Sequence, residues 1–176
     1  MRRTGVCAAV IVIFAFFIPT DRTEAAGMST LTLSSPAFKQ NAAIPPKYTC
    51  DGADINPSLT VGNVPAGAKS LALIVDDPDA PSGTWVHWVV WNIAVDTKEI
   101  REHELPAGAL EGMNDFRKRS YGGPCPPSGT HRYFFKLYAL DTTLNLRAGA
   151  TKADLEHAMR GHITAQTELI GRYQRK

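Results

Sequence analysis

Three runs of β-branched and aromatic residues constrain this chain most. They are Ser70–Asp76, Thr84–Ile93 and His131–Leu140, each bounded by Pro, Gly or Asp turns. Such runs are strand signals. Two of them are apolar on both faces, which places them inside a sheet covered on both sides rather than at an edge. Leu31–Leu33 and Leu59–Val61 read as shorter strands, and Val64–Gly67 as a turn. Thr151 fits a helix N-cap with Asp154 at the capping-box position, and the short helix that follows should stop near Gly161. His162–Tyr173 alternates polar with less polar residues and reads as a further strand. The 12 Pro and 14 Gly among 176 residues favour short strands and turns over a helical bundle. The expected fold is mostly β with one or two short helices.

The N-terminus carries a separate signal. Arg2 and Arg3 precede an apolar run from Val6 to Ile18, Pro19 ends it, and small residues close the segment at Ala25-Ala26-Gly27. A basic start, an apolar centre and a small-residue end describe a secretory signal peptide. The run is short of the roughly 20 apolar residues of a membrane span. Residues 1–26 are therefore expected to be a signal peptide, and 27–176 a single domain in the periplasm or outside the cell. Two alternatives are a buried core helix and a true start at Met28, which would make the protein cytoplasmic.

The part expected to remain after cleavage has 150 residues, enough for one domain with a real core. No long apolar segment remains in it. Nineteen Lys and Arg against 17 Asp and Glu give a net charge of +2, so the overall balance gives no reason to expect nucleic acid or an anionic membrane as the main partner. Cys50 and Cys125 survive removal of the leader. An even pair in an exported domain suggests one disulfide, with two buried thiols as the alternative.

The chemistry gathers beside the three strong strands. Asp77-Pro78-Asp79-Ala80-Pro81 is a stiff loop at the end of the first, because each proline fixes φ and removes a donor. His87 lies in the second strand, and a period of two puts it on one face with Trp85, Val89 and Trp91. His131 opens the third strand after Pro126-Pro127-Ser128-Gly129-Thr130 and shares a face with Tyr133, Phe135 and Leu137. Singly, each has a plain reading: solvated turn aspartates, or a satisfied core histidine. Together they describe one small cavity. The residue types allow a metal site, a general acid/base site or a receptor for an anion or zwitterion. Metal-binding His pairs, a nucleophile elbow and phosphate-loop motifs are absent from the sequence.

Asp77-Pro78-Asp79-Ala80-Pro81, Trp85-x-His87-Trp88 and Gly129-Thr130-His131-Arg132-Tyr133 resemble signature segments of the phosphatidylethanolamine-binding proteins, which include the Raf kinase inhibitor proteins. Tyr48–Pro57, Tyr121–Pro127 and Leu137–Asp141 resemble further motifs, closest to the bacterial and archaeal branch. The resemblance implies a large antiparallel sheet packed on a smaller one, with peripheral helices. It implies a pocket for a small anion or phospholipid head group, lined by Asp77, Asp79, Pro81, Trp85, His87, Pro126, His131 and Tyr133. It implies a binding protein rather than an enzyme, without cofactor or metal. The protein partner it suggests is a kinase or serine protease, and it leaves room for a homodimer. Export weakens a direct kinase role, and the alternative function is a metal-assisted hydrolase using the Asp/His cluster. One of the two aspartates, Asp77 or Asp79, is expected to accept an N–H from His87 or His131, and the other to stand near the mouth, free to meet a ligand ammonium. Two positions depart from the family pattern: Val61 stands where Trp is frequent, and Arg117 where Gly is usual. The long C-terminal helix of the animal members is not expected after Tyr173.

Overall fold

The computed structural model describes Met1 and residues 30–175. The signal-peptide reading of residues 1–26 falls, beyond Met1, outside the described residues. Among the described residues, eight strands and one α-helix follow in the order β1 (Thr32–Ser34), β2 (Leu59–Gly62), β3 (Ser70–Asp77), β4 (Trp85–Ile93), β5 (Glu99–Ile100), β6 (Leu110–Glu111), β7 (His131–Leu140), α1 (Lys152–Met159) and β8 (Ile163–Tyr173). They form a five-stranded sheet in the order β6-β4-β3-β7-β8 and a three-stranded sheet β1-β2-β5, all pairings between strands antiparallel. The mostly β expectation and its two sheets hold.

β3 is buried along its whole length because the large sheet is covered on both faces. Leu71, Leu73 and Val75 enter one core with Tyr133, Phe135 and Leu137 of β7 and with Leu33, Leu59 and Val61 of the small sheet. Ala72 and Ile74 enter a second core with Val89, Trp91, Leu155 and Met159, beneath α1. Burying Leu155 and Met159 stabilises that packing by about 1.5–3 kcal/mol each. The helix starts where the sequence indicates: the Asp154 amide donates to Thr151 Oγ1 at 3.2 Å and the Thr151 amide to Asp154 Oδ2 at 2.9 Å. An ionic latch reinforces it. Asp76 is fully buried, and Lys136 of β7 and Lys152 of α1 bring their Nζ atoms to 2.8 and 2.6 Å from its carboxylate.

The period-two reading of β4 needs one correction. Ile74 pairs with Val89 and Val75 with Trp88, but Asp76 pairs with Val86, so His87 is an extra residue in β4. This β-bulge resets the alternation. Val89 and Trp91 face α1, whereas the His87 ring packs on Tyr133 on the opposite side. His87 therefore does not share a face with Val89 and Trp91.

Candidate functional site

The ends of β3, β4 and β7 meet at one edge of the large sheet and enclose a cavity of about 320 Å³. Three segments supply its walls: Asp77 and Ala80–Ser82 after β3, Trp85 and His87 of β4, and Cys125–Pro127 with His131 before and at the start of β7. Phe116 closes the remaining side, its ring 5.5 Å from that of Trp85 and 5.3 Å from that of His87, both edge-on. Of the residues named from sequence, Asp77, Pro81, Trp85, His87, Pro126 and His131 line the cavity. Phe116, Ala80, Ser82, Cys125 and Pro127 line it too and were not singled out. Phe116 lies in a loop with no periodic pattern, and the family resemblance marks it only as the residue before Arg117, not as a wall of the cavity.

Two of the named residues, Tyr133 and Asp79, do not line the cavity. Tyr133 is fully buried, packs against His87 at 5.2 Å, and its hydroxyl has no hydrogen-bond partner among the described residues. Burial first, and the nearby Asp77 carboxylate second, push its pKa up. Asp79, the aspartate that does not orient a histidine, is not a free carboxylate either. Its Oδ1 accepts from Arg132 Nη2 at 2.6 Å, and its Oδ2 from Arg132 Nε and the Arg132 amide at 2.8 and 2.9 Å. Those bonds hold the Asp79 pKa down to about 2. The residue serves as a strap between the Pro-rich loop and β7, because a guanidinium one residue past His131 outcompetes any ligand ammonium for a bidentate carboxylate.

The two histidines are both aimed by their Nδ1 atoms. His87 Nδ1 lies 2.6 Å from the Gly122 carbonyl oxygen, which can only accept, so Nδ1 carries the proton. Burial lowers the His87 pKa, against the smaller opposing effects of Gly122 and Asp77, and favours the neutral ring. His131 Nδ1 lies 2.7 Å from Asp77 Oδ2, and Asp77 Oδ1 accepts from the Asp79 amide at 2.8 Å. Both rings are thus left with Nε2 free of protein hydrogen bonds among the described residues. A ring held this way offers an acceptor when neutral and a second N–H when protonated.

The wall opposite β3 is fixed by the loops that carry Cys50 and Cys125. The cysteines are bonded, with Cα atoms 5.4 Å apart. The Cys50 amide donates to the Pro124 carbonyl at 3.1 Å and the Gly123 amide to Asp54 Oδ1 at 2.6 Å. Gly122 has no room for a side chain: a Cβ there would meet the Phe116 ring at 2.6 Å. Val61, one of the two departures, lies in the core between the sheets and does not border the cavity. Arg117, the other, has φ of +60°, the left-handed backbone that favours glycine. The loop keeps its shape because buried Asn114 staples it, its Oδ1 accepting from the Lys118 amide at 2.9 Å and its Nδ2 donating to the Ser120 carbonyl at 2.8 Å.

Known proteins resemble this chain in sequence and fold. The family model for phosphatidylethanolamine-binding proteins matches residues 34–174. A UPF0098 protein from Methanothermobacter thermautotrophicus is 51% identical over 150 residues, covering 82% of this chain and 99% of the relative. The crystal structure of a phosphatidylethanolamine-binding protein homologue from Chlamydia trachomatis superposes with a TM-score of 0.81 at 42% identity, covering 84% of this chain and 99% of that one. The crystal structure of E. coli YbcL, titled a member of the mammalian family, gives a TM-score of 0.78 at 32% identity over 83% of this chain and 99% of that one.

Proposed function

We propose that this chain, which belongs to the phosphatidylethanolamine-binding protein family, uses its cavity to bind a small phosphate- or carboxylate-bearing group, such as a phospholipid head group, without turning it over. One observation carries the reading: two histidines whose Nδ1 atoms are committed to Asp77 and Gly122 border one small cavity. Their Nε2 atoms complement an anion that arrives with one proton, or an anion met by one imidazolium. Binding of a ligand that brings no proton of its own, such as a phosphodiester, therefore takes one up, and its affinity falls as pH rises. Trp85, Phe116 and the prolines keep the walls largely apolar, which strengthens each bond inside. Asp79 is held by Arg132, so the ligand's cationic end, if it has one, is left to solvent.

The alternative, metal-assisted hydrolysis, draws on the same residues. Among the described residues no three His, Cys, Asp or Glu side chains converge as a metal site needs. What supports an exported location is the basic, apolar and small-residue order of residues 1–26 together with the Cys50–Cys125 bond. NMR titration with inorganic phosphate tests the binding reading. Amide shifts should map to residues 77–87 and 116–131. His131→Ala should weaken binding about tenfold or more, the worth of one charge-assisted bond. Shifts that map elsewhere, or ester hydrolysis that needs zinc and His131, overturn the reading.

A further inference from the structure

The lip of the cavity is asymmetric in charge. The tetrapeptide Pro-Ser-Gly-Thr occurs twice, at 81–84 and 127–130, each time leading directly into a strand that carries a wall residue, Trp85 or His131. Both tetrapeptides are exposed and uncharged, and both turn on a positive-φ glycine, Gly83 at +102° and Gly129 at +68°. The loop that leaves the cavity wall at Phe116 is different. Directly after Phe116 come Arg117, Lys118 and Arg119, all exposed and none within 4.0 Å of a carboxylate among the described residues. The acids nearby are engaged internally. Asp77 holds His131, Asp79 holds Arg132, and Asp115 Oδ2 accepts from the Val86 amide at 2.7 Å.

The basic triad is not a floppy run. Both of its ends are anchored in the cavity wall, through the Phe116 ring on one side and the Gly122 carbonyl on His87 on the other. Asn114 fixes the backbone between them, and the Arg119 stem packs over Gly149. Three cations on a rigid loop exceed what one head group in a cavity of about 320 Å³ can meet. Three unpaired cations complement a surface of many phosphates, and the two uncharged tetrapeptides bring no charge that such a surface would strip of water. The near-zero net charge of the whole chain conceals this local excess.

We propose that Arg117, Lys118 and Arg119 form a docking lip that seats the cavity mouth on an anionic phospholipid bilayer, so that the head group enters from the membrane. The proposal rests on the binding reading above and adds the source of the ligand. The Chlamydia structure is covered over 99% of its length by this domain, so residues 27–176 are a fair test object without the apolar leader. Co-sedimentation with vesicles of phosphatidylethanolamine and phosphatidylglycerol is compared with vesicles in which phosphatidylcholine replaces the anionic lipid. At about fivefold for each basic residue near the surface, the variant Arg117→Gly/Lys118→Gln/Arg119→Gln should bind the anionic vesicles about 100-fold more weakly. Its phosphate affinity by NMR should be unchanged. Wild-type adsorption should also fall between about 0.1 and 1 M salt, as the Debye length shrinks from about 10 to 3 Å. His131→Ala should bind phosphate about tenfold or more weakly yet still adsorb. If phosphate fails to bind while the triad still drives adsorption, the cavity reading falls and the docking lip stands. Equal binding of wild type and triple variant to anionic vesicles, no preference of wild type for them, or tighter binding to duplex DNA overturns the lip.

Discussion

Acid should release the strap between Asp79 and Arg132 before it unfolds the rest of the domain. The carboxylate accepts three bonds from Arg132 and titrates near 2 instead of its ordinary 3.8. Each pKa unit is worth about 1.4 kcal/mol, so the full shift corresponds to about 2.4 kcal/mol. Arg132 is half exposed and Asp79 about a quarter exposed, at 48% and 27% of their side chains, so solvent screens part of this. About 1 kcal/mol remains. The sign follows from the depressed pKa: the contribution is fully present above the unfolded value of 3.8 and is lost as pH falls through about 2. Urea unfolding of wild type and Asp79→Asn at steps from about pH 5 to pH 2 isolates it, because every other carboxylate is common to both proteins. The stability gap should narrow by about 1 kcal/mol across that window. A gap that stays constant would show that the strap seen here is not an ionic one. Arg132→Ala removes the partner that depresses Asp79 and should reproduce both the neutral-pH loss and the narrowing of the gap to wild type in acid.

Gly122→Ala forces a Cβ to within 2.6 Å of the Phe116 ring. It should cost about 1–3 kcal/mol in thermal unfolding and weaken phosphate binding together with it, as Phe116 leaves Trp85 and His87. Thiol titration of residues 27–176 under denaturing, non-reducing conditions should find no reactive thiol. Reduction of the bond, which spans 75 residues, should cost on the order of 4–5 kcal/mol in the loop-entropy account. Lys152→Met leaves Asp76 with Lys136 alone and should destabilise by about 1–2 kcal/mol, less than the loss of a whole buried pair. Combined with Asp76→Asn the losses should be less than additive in urea unfolding.

Long apolar strands were legible because burial on both faces leaves a continuous run, as in β3, and the capping box marks α1 because its partners sit three residues apart. β5 and β6 are two residues each and owe their strand conformation to the neighbours they pair with, which no local pattern encodes. The site was legible where short motifs carry it, at Asp77, Trp85, His87 and His131. The bulge at His87 was not, since a strand that violates its own alternation looks the same in sequence as one that keeps it. Phe116 and the Asp76 latch were also hidden. The lysines that hold Asp76 lie 60 and 76 residues away along the chain, and only the folded sheet brings them together.

Asp76 and Asp77 are neighbours that face opposite ways, one latching α1 and the other aiming His131. A slip of β3 by one residue against its neighbours would exchange them. The latch carboxylate would enter the cavity, the relay carboxylate would sit beneath the helix, and both partners' bonds would be lost together. Mispaired sheets are thereby excluded twice over by a single dipeptide. An anion that binds only the correctly paired sheet stabilises it by mass action, so it should raise refolding yield as well as melting temperature. Occupancy of the cavity then serves as a proofreading signal for strand registry, read out tens of residues from where the pairing error would arise.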